Sequence, residues 1–161
     1  MAFSYSAPDY RPSIFRSVLS MFRRPARLQI AALCHRMRNG KLEVLLVTSK
    51  SARRWILPKG WPILSHRAHR TAAVEAFEEA GVTGKVHKKP FGSFTSYKGG
   101  EAGLKLRTQV LVFLVEVEKT AREFPDSAER DIRWVSVGEA VRITNDPGLA
   151  AVFRKLERLS G

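Results

Sequence analysis

Thr71-Ala72-Ala73-Val74-Glu75-Ala76-Phe77-Glu78-Glu79-Ala80-Gly81-Val82 constrains this chain more than any other stretch. Alanines at 68, 72, 73, 76 and 80 together with Phe77 form an apolar stripe at helical spacing, and Gly81 is a natural C-terminal stop. The spacing predicts a helix from Ala68 to Ala80. At about 100° per residue, Glu75, Glu78 and Glu79 fall within roughly 100° of arc on one face of it. Like charges three and four positions apart repel, so such a helix needs either a cation among the carboxylates or a freely solvated acidic face.

The rest of the chain supplies strands for that helix to cover. Leu28–Cys34 and Leu42–Thr48 are apolar runs separated by Arg38-Asn39-Gly40-Lys41. Asn-Gly tolerates positive φ at both positions, so the pair predicts an antiparallel hairpin. Trp55-Ile56-Leu57 precedes Pro58. Val86–Tyr97 and Leu104–Val117 read as two further paired strands joined through Lys98-Gly99-Gly100, and Leu111–Val115 is apolar enough to be a central strand buried on both faces. Residues 119 to 130 read as a polar loop, and Ile132–Val135 as a short strand. Ser136 with Glu139 forms a capping box for a brief helix to about Ala140. Asp146 and Pro147 then open a last helix on which Leu149, Val152, Phe153, Leu156 and Leu159 recur at helical spacing. Strands interspersed with helices in one unit predict an α/β (α+β) sandwich with a mixed central sheet over residues 28 to 161, preceded by a basic arm over residues 1 to 27.

The 161 residues suffice for one domain with a proper core. A net charge of +13 calls for an anionic partner, either a nucleic acid, a membrane surface or a small polyphosphate. No run approaches the ~20 apolar residues of a membrane span. Cys34 is the sole cysteine, which excludes an internal disulfide and a cysteine-built zinc site; it fits a reducing cytoplasm and reads as a buried, inert thiol. The arm has Arg11, Arg16, Arg23, Arg24 and Arg27 against Asp9, with Ile14, Phe15, Val18, Leu19 and Phe22 able to share a helical face. That composition fits an organelle transit peptide, a surface-binding amphipathic helix or an arm packed on the domain. No nucleic-acid-binding motif accompanies the charge. His35, His66, His69 and His87 have no metal-ligand spacing.

A hard divalent cation takes oxygen ligands, and Mg²⁺ is usually held by a few carboxylates, water and substrate phosphate. Glu75, Glu78 and Glu79 offer the carboxylates, and Pro58-Lys59-Gly60 can bring a backbone carbonyl to the same place because Gly60 permits close approach. The stretch from Gly60 to Val82 resembles the Nudix box: glycine, five residues, Glu, seven residues, Arg-Glu, an aliphatic residue, any residue, Glu-Glu, any residue, Gly and an aliphatic residue. Gly60, Glu75, Glu78, Glu79, Gly81 and Val82 fall in register. Trp55–Pro62 and Arg133–Ala140 are also similar to the family, so the likeness covers roughly residues 28 to 160. Within the family it most resembles bacterial relatives of diphosphoinositol polyphosphate and diadenosine polyphosphate hydrolases.

That resemblance implies a Nudix-type α/β/α sandwich and a hydrolase splitting a diphosphate linkage in a nucleotide, dinucleoside polyphosphate or inositol pyrophosphate. It further implies Mg²⁺ or Mn²⁺ bound by Glu75, Glu78 and Glu79 with Lys59 and Gly60, one of the three glutamates serving as or positioning the general base. Asp126 and Glu129 are reserve candidates for the base. Arg53, Arg54, Lys59, Lys98, Lys105 and Arg107 are candidates to grip phosphates, and Trp61 to stack on a base or pack the loop. Three positions depart from the pattern: His66 stands at the box's first Glu, Val74 at its Arg, and Ser65 where such relatives often have glycine. By resemblance the missing arginine would orient Glu75, and losing a group that orients a metal ligand costs ~10 to 100-fold. Two other readings follow from the same residues. One is a non-catalytic Nudix-fold protein that binds a polyanion; the other is a basic nucleic-acid-binding protein.

Overall fold

Asn39 and Gly40 adopt φ of 51° and 72°, the positive pair that a two-residue hairpin turn requires. They join β1 (Arg27–Arg38) to β2 (Lys41–Thr48) antiparallel, with His35 opposite Val44. The chain is represented by a computed structural model that describes residues 27–99 and 105–161. Residues 1–26 of the arm, Gly100 and the side chains of Lys98 and Lys105 lie outside the described residues, and Arg27, counted with the arm in sequence, is the first residue of β1.

After β2 come β3 (Trp55–Ile56), β4 (Lys59–Gly60), α1 (Ala68–Ala80), β5 (Val82–Val86), β6 (Gly92–Gly99), β7 (Lys105–Thr120), β8 (Ile132–Ser136), α2 (Val137–Ile143) and α3 (Pro147–Ser160). The sheet runs β3-β2-β1-β7-β5, with β4 also pairing with β1, β6 with β7 and β8 with β2. It is mixed: β1 lies parallel to β7 and antiparallel to β2.

Two elements differ from the sequence expectation. The strand read from Val86 to Tyr97 begins only at Gly92, as β6, while β5, a strand the sequence reading did not include, ends at Val86; Lys88-Lys89-Pro90 lies between them, where proline has no N–H for the ladder. Both strands pair with β7, β6 along its first half and β5 along its second. Lys59-Gly60, read as loop, pairs with Ala31 and Ile30 of β1. That pairing pins the glycine-containing segment beside the central strand.

Alternate residues of β1 face opposite cores, as a period of two demands. Ala31 and Leu33 join Val44, Leu46, Val110 and Val112 beneath α2 and α3, which contribute Ala140, Leu149, Val152, Phe153 and Leu156. Ile30, Ala32 and Cys34 join Leu45, Val47, Phe113 and Val115 beneath α1, which contributes Ala72, Ala76 and Ala80. The result is the expected α/β/α sandwich. Burial pushes the Cys34 thiol up to about 12, so it stays protonated and inert.

The caps follow the sequence grammar. Ser136 Oγ accepts from the Glu139 N–H at 3.2 Å, and Asp146 Oδ1 accepts from Gly148 and Leu149 at 2.9 and 3.3 Å. Gly81 closes α1 at φ 67°, donating to the Phe77 carbonyl. A Cβ at Gly81 would press on the Phe124 ring and stand 2.7 Å from the Ala121 carbonyl oxygen. Left-handed strain and the clash together predict that Gly81→Ala destabilises by about 2 to 4 kcal/mol, measured by urea unfolding. A loss below about 0.5 kcal/mol would contradict this packing.

Candidate active site

Helix α1 packs Ala72, Ala76 and Ala80 on the sheet and carries Glu75 and Glu79 against β4. Glu79 is 7% exposed. Its Oε2 accepts from the Lys59 N–H at 3.2 Å, and its Oε1 from Arg130 Nη2 at 2.7 Å. Glu75 is half-buried and its carboxylate lies directly on Gly60: a Cβ there would fall inside the carboxylate, 2.8 Å from even the farther oxygen, Oε2. Glycine is therefore required at position 60 by a side chain fifteen residues later in the box, on the following helix. Glu78 is exposed.

Burial pushes Glu79 up to about 7 from an ordinary 4.5. Arg130 and the Lys59 N–H pull it down, while Glu75 and Asp126 add to the rise. Glu75 is raised by burial and then by the Glu78 carboxylate. Negative charge at this point is under-compensated, and a bound cation would relieve it. Among the described residues, no three His, Cys, Asp or Glu side chains are gathered closely enough to hold a metal ion by themselves. The all-oxygen donor set still fits Mg²⁺, which binds through one or two carboxylates plus water and phosphate oxygens.

Glu79 lies in the wall of a cleft of about 340 Å³ that also takes in Lys50, Arg54, Lys59, Tyr97 and Arg130. Of the candidate phosphate grips, Arg54 and Lys59 line it, and Lys59 Nζ donates to Gln29 Oε1 at 3.0 Å. Arg53 instead pairs with Asp131 Oδ2 and donates to the Glu129 carbonyl at 2.9 Å. Arg107 is exposed, opposite Tyr97 in the β6–β7 ladder, and does not line the cleft. His66 lines a separate depression with Arg67, His69, Arg70 and Lys88, whose walls contain none of the three glutamates. Trp61 is 50% exposed and Val74 is half-buried.

Sequence reasoning did not single out Lys50 or Arg130. Lys50 Nζ reaches Glu129 Oε2 at 2.7 Å and Asp126 Oδ2 at 3.4 Å from the cleft wall. Burial works to raise the Asp126 carboxyl, but hydrogen bonds and charge from Arg130 and Lys50 hold it below the ordinary range. Asp126 and Glu129 are thus both engaged in ion pairs. The signal for Arg130 was present in Asp126-Ser127-Ala128-Glu129-Arg130-Asp131, where one arginine stands four residues after an aspartate amid acids.

A family model for the NUDIX domain matches residues 27–156. The chain belongs to the Nudix family. Nudix hydrolase 13, mitochondrial, of Arabidopsis thaliana is 30% identical over 108 residues, covering 64% of this chain and 54% of that protein. This Nudix chain thus spans about half the length of that plant relative. The bovine (Bos taurus) diphosphoinositol polyphosphate phosphohydrolase 3-beta is 28% identical over 131 residues, covering 79% of this chain and 76% of its own. The crystal structure of the C. elegans Ap4A hydrolase superposes with a TM-score of 0.61 at 18% identity, over 84% of this chain and 99% of that one, which establishes the shared fold. No helix among the described residues is long and apolar enough to cross a membrane.

Proposed function

We propose that this Nudix protein is a divalent-cation-dependent pyrophosphohydrolase that cleaves a diphosphate linkage in a nucleotide, dinucleoside polyphosphate or inositol pyrophosphate. The observation that carries this reading is Glu79, a buried carboxylate raised by burial, in the wall of a cleft whose other charged lining residues are Lys50, Arg54, Lys59 and Arg130. The names of the bovine and nematode relatives, both hydrolases of phosphoric anhydrides, support the same class of substrate.

Mg²⁺ or Mn²⁺ would be held by Glu75, Glu78 and Glu79 with the Lys59 carbonyl beside Gly60; when bound, it neutralises diphosphate oxygens and makes water acidic. The chain's residues do the rest. Arg54 and Lys59, with Lys50, hold the flanking phosphates by charge. A carboxylate of the three takes the proton of the attacking water as its oxygen bonds to phosphorus. The bridging P–O bond breaks, and the leaving group departs with that oxygen as a phosphate.

A panel of dinucleoside polyphosphates, inositol pyrophosphates, nucleotides and nucleotide sugars, incubated with Mg²⁺ or Mn²⁺, tests the reading. Hydrolysis of at least one member, abolished by a chelator, is expected. Tight binding without turnover of any member would favour the binding-only alternative instead.

The Glu79 shift adds a pH dependence. Its folded pKa lies above its unfolded one, so its contribution to stability is fully present below about 4.5 and is lost as pH rises through about 7. A cation requires the ionised form and offsets the loss. Mg²⁺ should therefore raise the melting temperature more at pH 8 than at pH 5.5, read by thermal shift. Equal increments at both pH values would contradict the assignment of Glu79 as a ligand.

A further inference from the structure

We propose that Arg130 is the positioning residue of the carboxylate centre, fixing the Glu79 carboxylate from outside the box; the inference rests on the pyrophosphohydrolase reading. From Thr71 to Val82 there is no Lys or Arg, and Arg70, in the first turn of α1, lines the separate depression with His66 rather than the cleft. Arg130 supplies a cation from 51 residues away, on the segment between β7 and β8.

Its guanidinium is used on three sides. Nη2 donates to Glu79 Oε1 at 2.7 Å, Nε to Asp126 Oδ2 at 2.8 Å and Nη1 to the Thr48 carbonyl at 2.9 Å. The arginine and glutamate side chains are 8% and 9% exposed, so water does not compete for this pair. The segment that carries Arg130 is itself pinned at both ends of the site. The Asp126 N–H donates to the Glu78 carbonyl at 3.0 Å, and Ala121 N–H to that of Gly81 at 2.7 Å. Thr48 N–H donates to the Asp131 carbonyl at 3.1 Å, while Thr48 Oγ1 accepts from Asp131 N–H at 2.9 Å.

Glu79 is thereby gripped at both oxygens, Oε1 by Arg130 and Oε2 by the Lys59 N–H, with one lone pair left on each. A carboxylate so held cannot rotate away from the cleft. Such a grip needs a planar fork; a lysine in the same place would bring charge without the three directed N–H bonds. Val74 stands where the box would place the arginine that orients Glu75; Arg130 holds a different carboxylate of the same face, Glu79.

The test compares the full chain with Arg130→Ala and Arg130→Lys, measuring Mn²⁺ affinity directly by the EPR signal of free Mn²⁺ and, separately, kcat and KM. In Arg130→Ala, Mn²⁺ affinity and kcat should each fall about 10 to 100-fold with KM little changed, as for other groups that orient a metal ligand. Millimolar guanidinium should restore part of both in Arg130→Ala and neither in the parent. Arg130→Lys should fall between. Parent-like Mn²⁺ affinity in folded Arg130→Ala would overturn the proposal. So would a loss that guanidinium does not restore and that tracks a lowered melting temperature, the sign of a merely structural tie. If Arg130→Ala does not fold, parent-like affinity and kcat in Arg130→Lys overturn it. Absence of turnover by the parent would instead sink the pyrophosphohydrolase reading, while Mn²⁺ affinity still decides the role of Arg130.

Discussion

Glu79→Gln should lower Mg²⁺-dependent hydrolysis by on the order of 10³-fold, the loss of several kcal/mol of transition-state charge stabilisation. The substitution keeps shape and removes charge. The amide oxygen can still accept from Arg130 Nη2 or from the Lys59 N–H, but its NH₂ then faces the other donor, an unsatisfied contact worth about 1 to 3 kcal/mol. Asp126 remains to pair with Arg130, and the burial cost of the Glu79 charge disappears. Activity should therefore collapse in a protein that still melts cooperatively. The rise in melting temperature caused by Mg²⁺ should vanish with it. A fully active Glu79→Gln would remove the centre from this helix face.

Gly60→Ala is the second large effect, expected near 100-fold in kcat, the penalty typical of moving a reacting group by about 1 Å. The new methyl group would occupy the space of the Glu75 carboxylate. What must yield is the far end of a flexible side chain, so the fold should tolerate the change while Glu75 is expelled from its place against β4. Because Lys59 and Gly60 pair with β1, the backbone cannot move aside as a free loop would. The outcome is checked by kinetics beside a melting curve. Unchanged kcat would show that the Glu75 carboxylate has no part in turnover, and a lost fold would show that Gly60 is there for packing alone.

The elements legible in the sequence were those encoded locally. The alanine stripe and Gly81 bounded α1 at Ala68 and Ala80, and Asn39-Gly40 set the β1–β2 hairpin, because each depends on residues within one turn or one pair of strands. Lys59-Gly60 was not legible as a strand, since two residues have no periodicity and their pairing is set by β1, nearly thirty residues earlier. Arg53 and Arg54 look equivalent in sequence. The loop turns at Arg53 with φ 53°, directing one guanidinium to Asp131 and leaving the other in the cleft wall. The box marked the three glutamates, but not what surrounds them. Lys50 and Arg130 reach the centre only through the packing of two loops that local spacing does not encode.

The central claim is that the glutamate face of α1 performs attack of water on phosphorus. It is tested most directly by following the protein and its Glu79→Gln variant side by side in H₂¹⁸O, with Mg²⁺ and the panel substrate, by ³¹P NMR and mass spectrometry. The account predicts that anhydride resonances disappear with the parent alone and that one ¹⁸O enters a phosphate product for each linkage broken. Equal turnover by both proteins, or products without ¹⁸O on phosphorus, would contradict it.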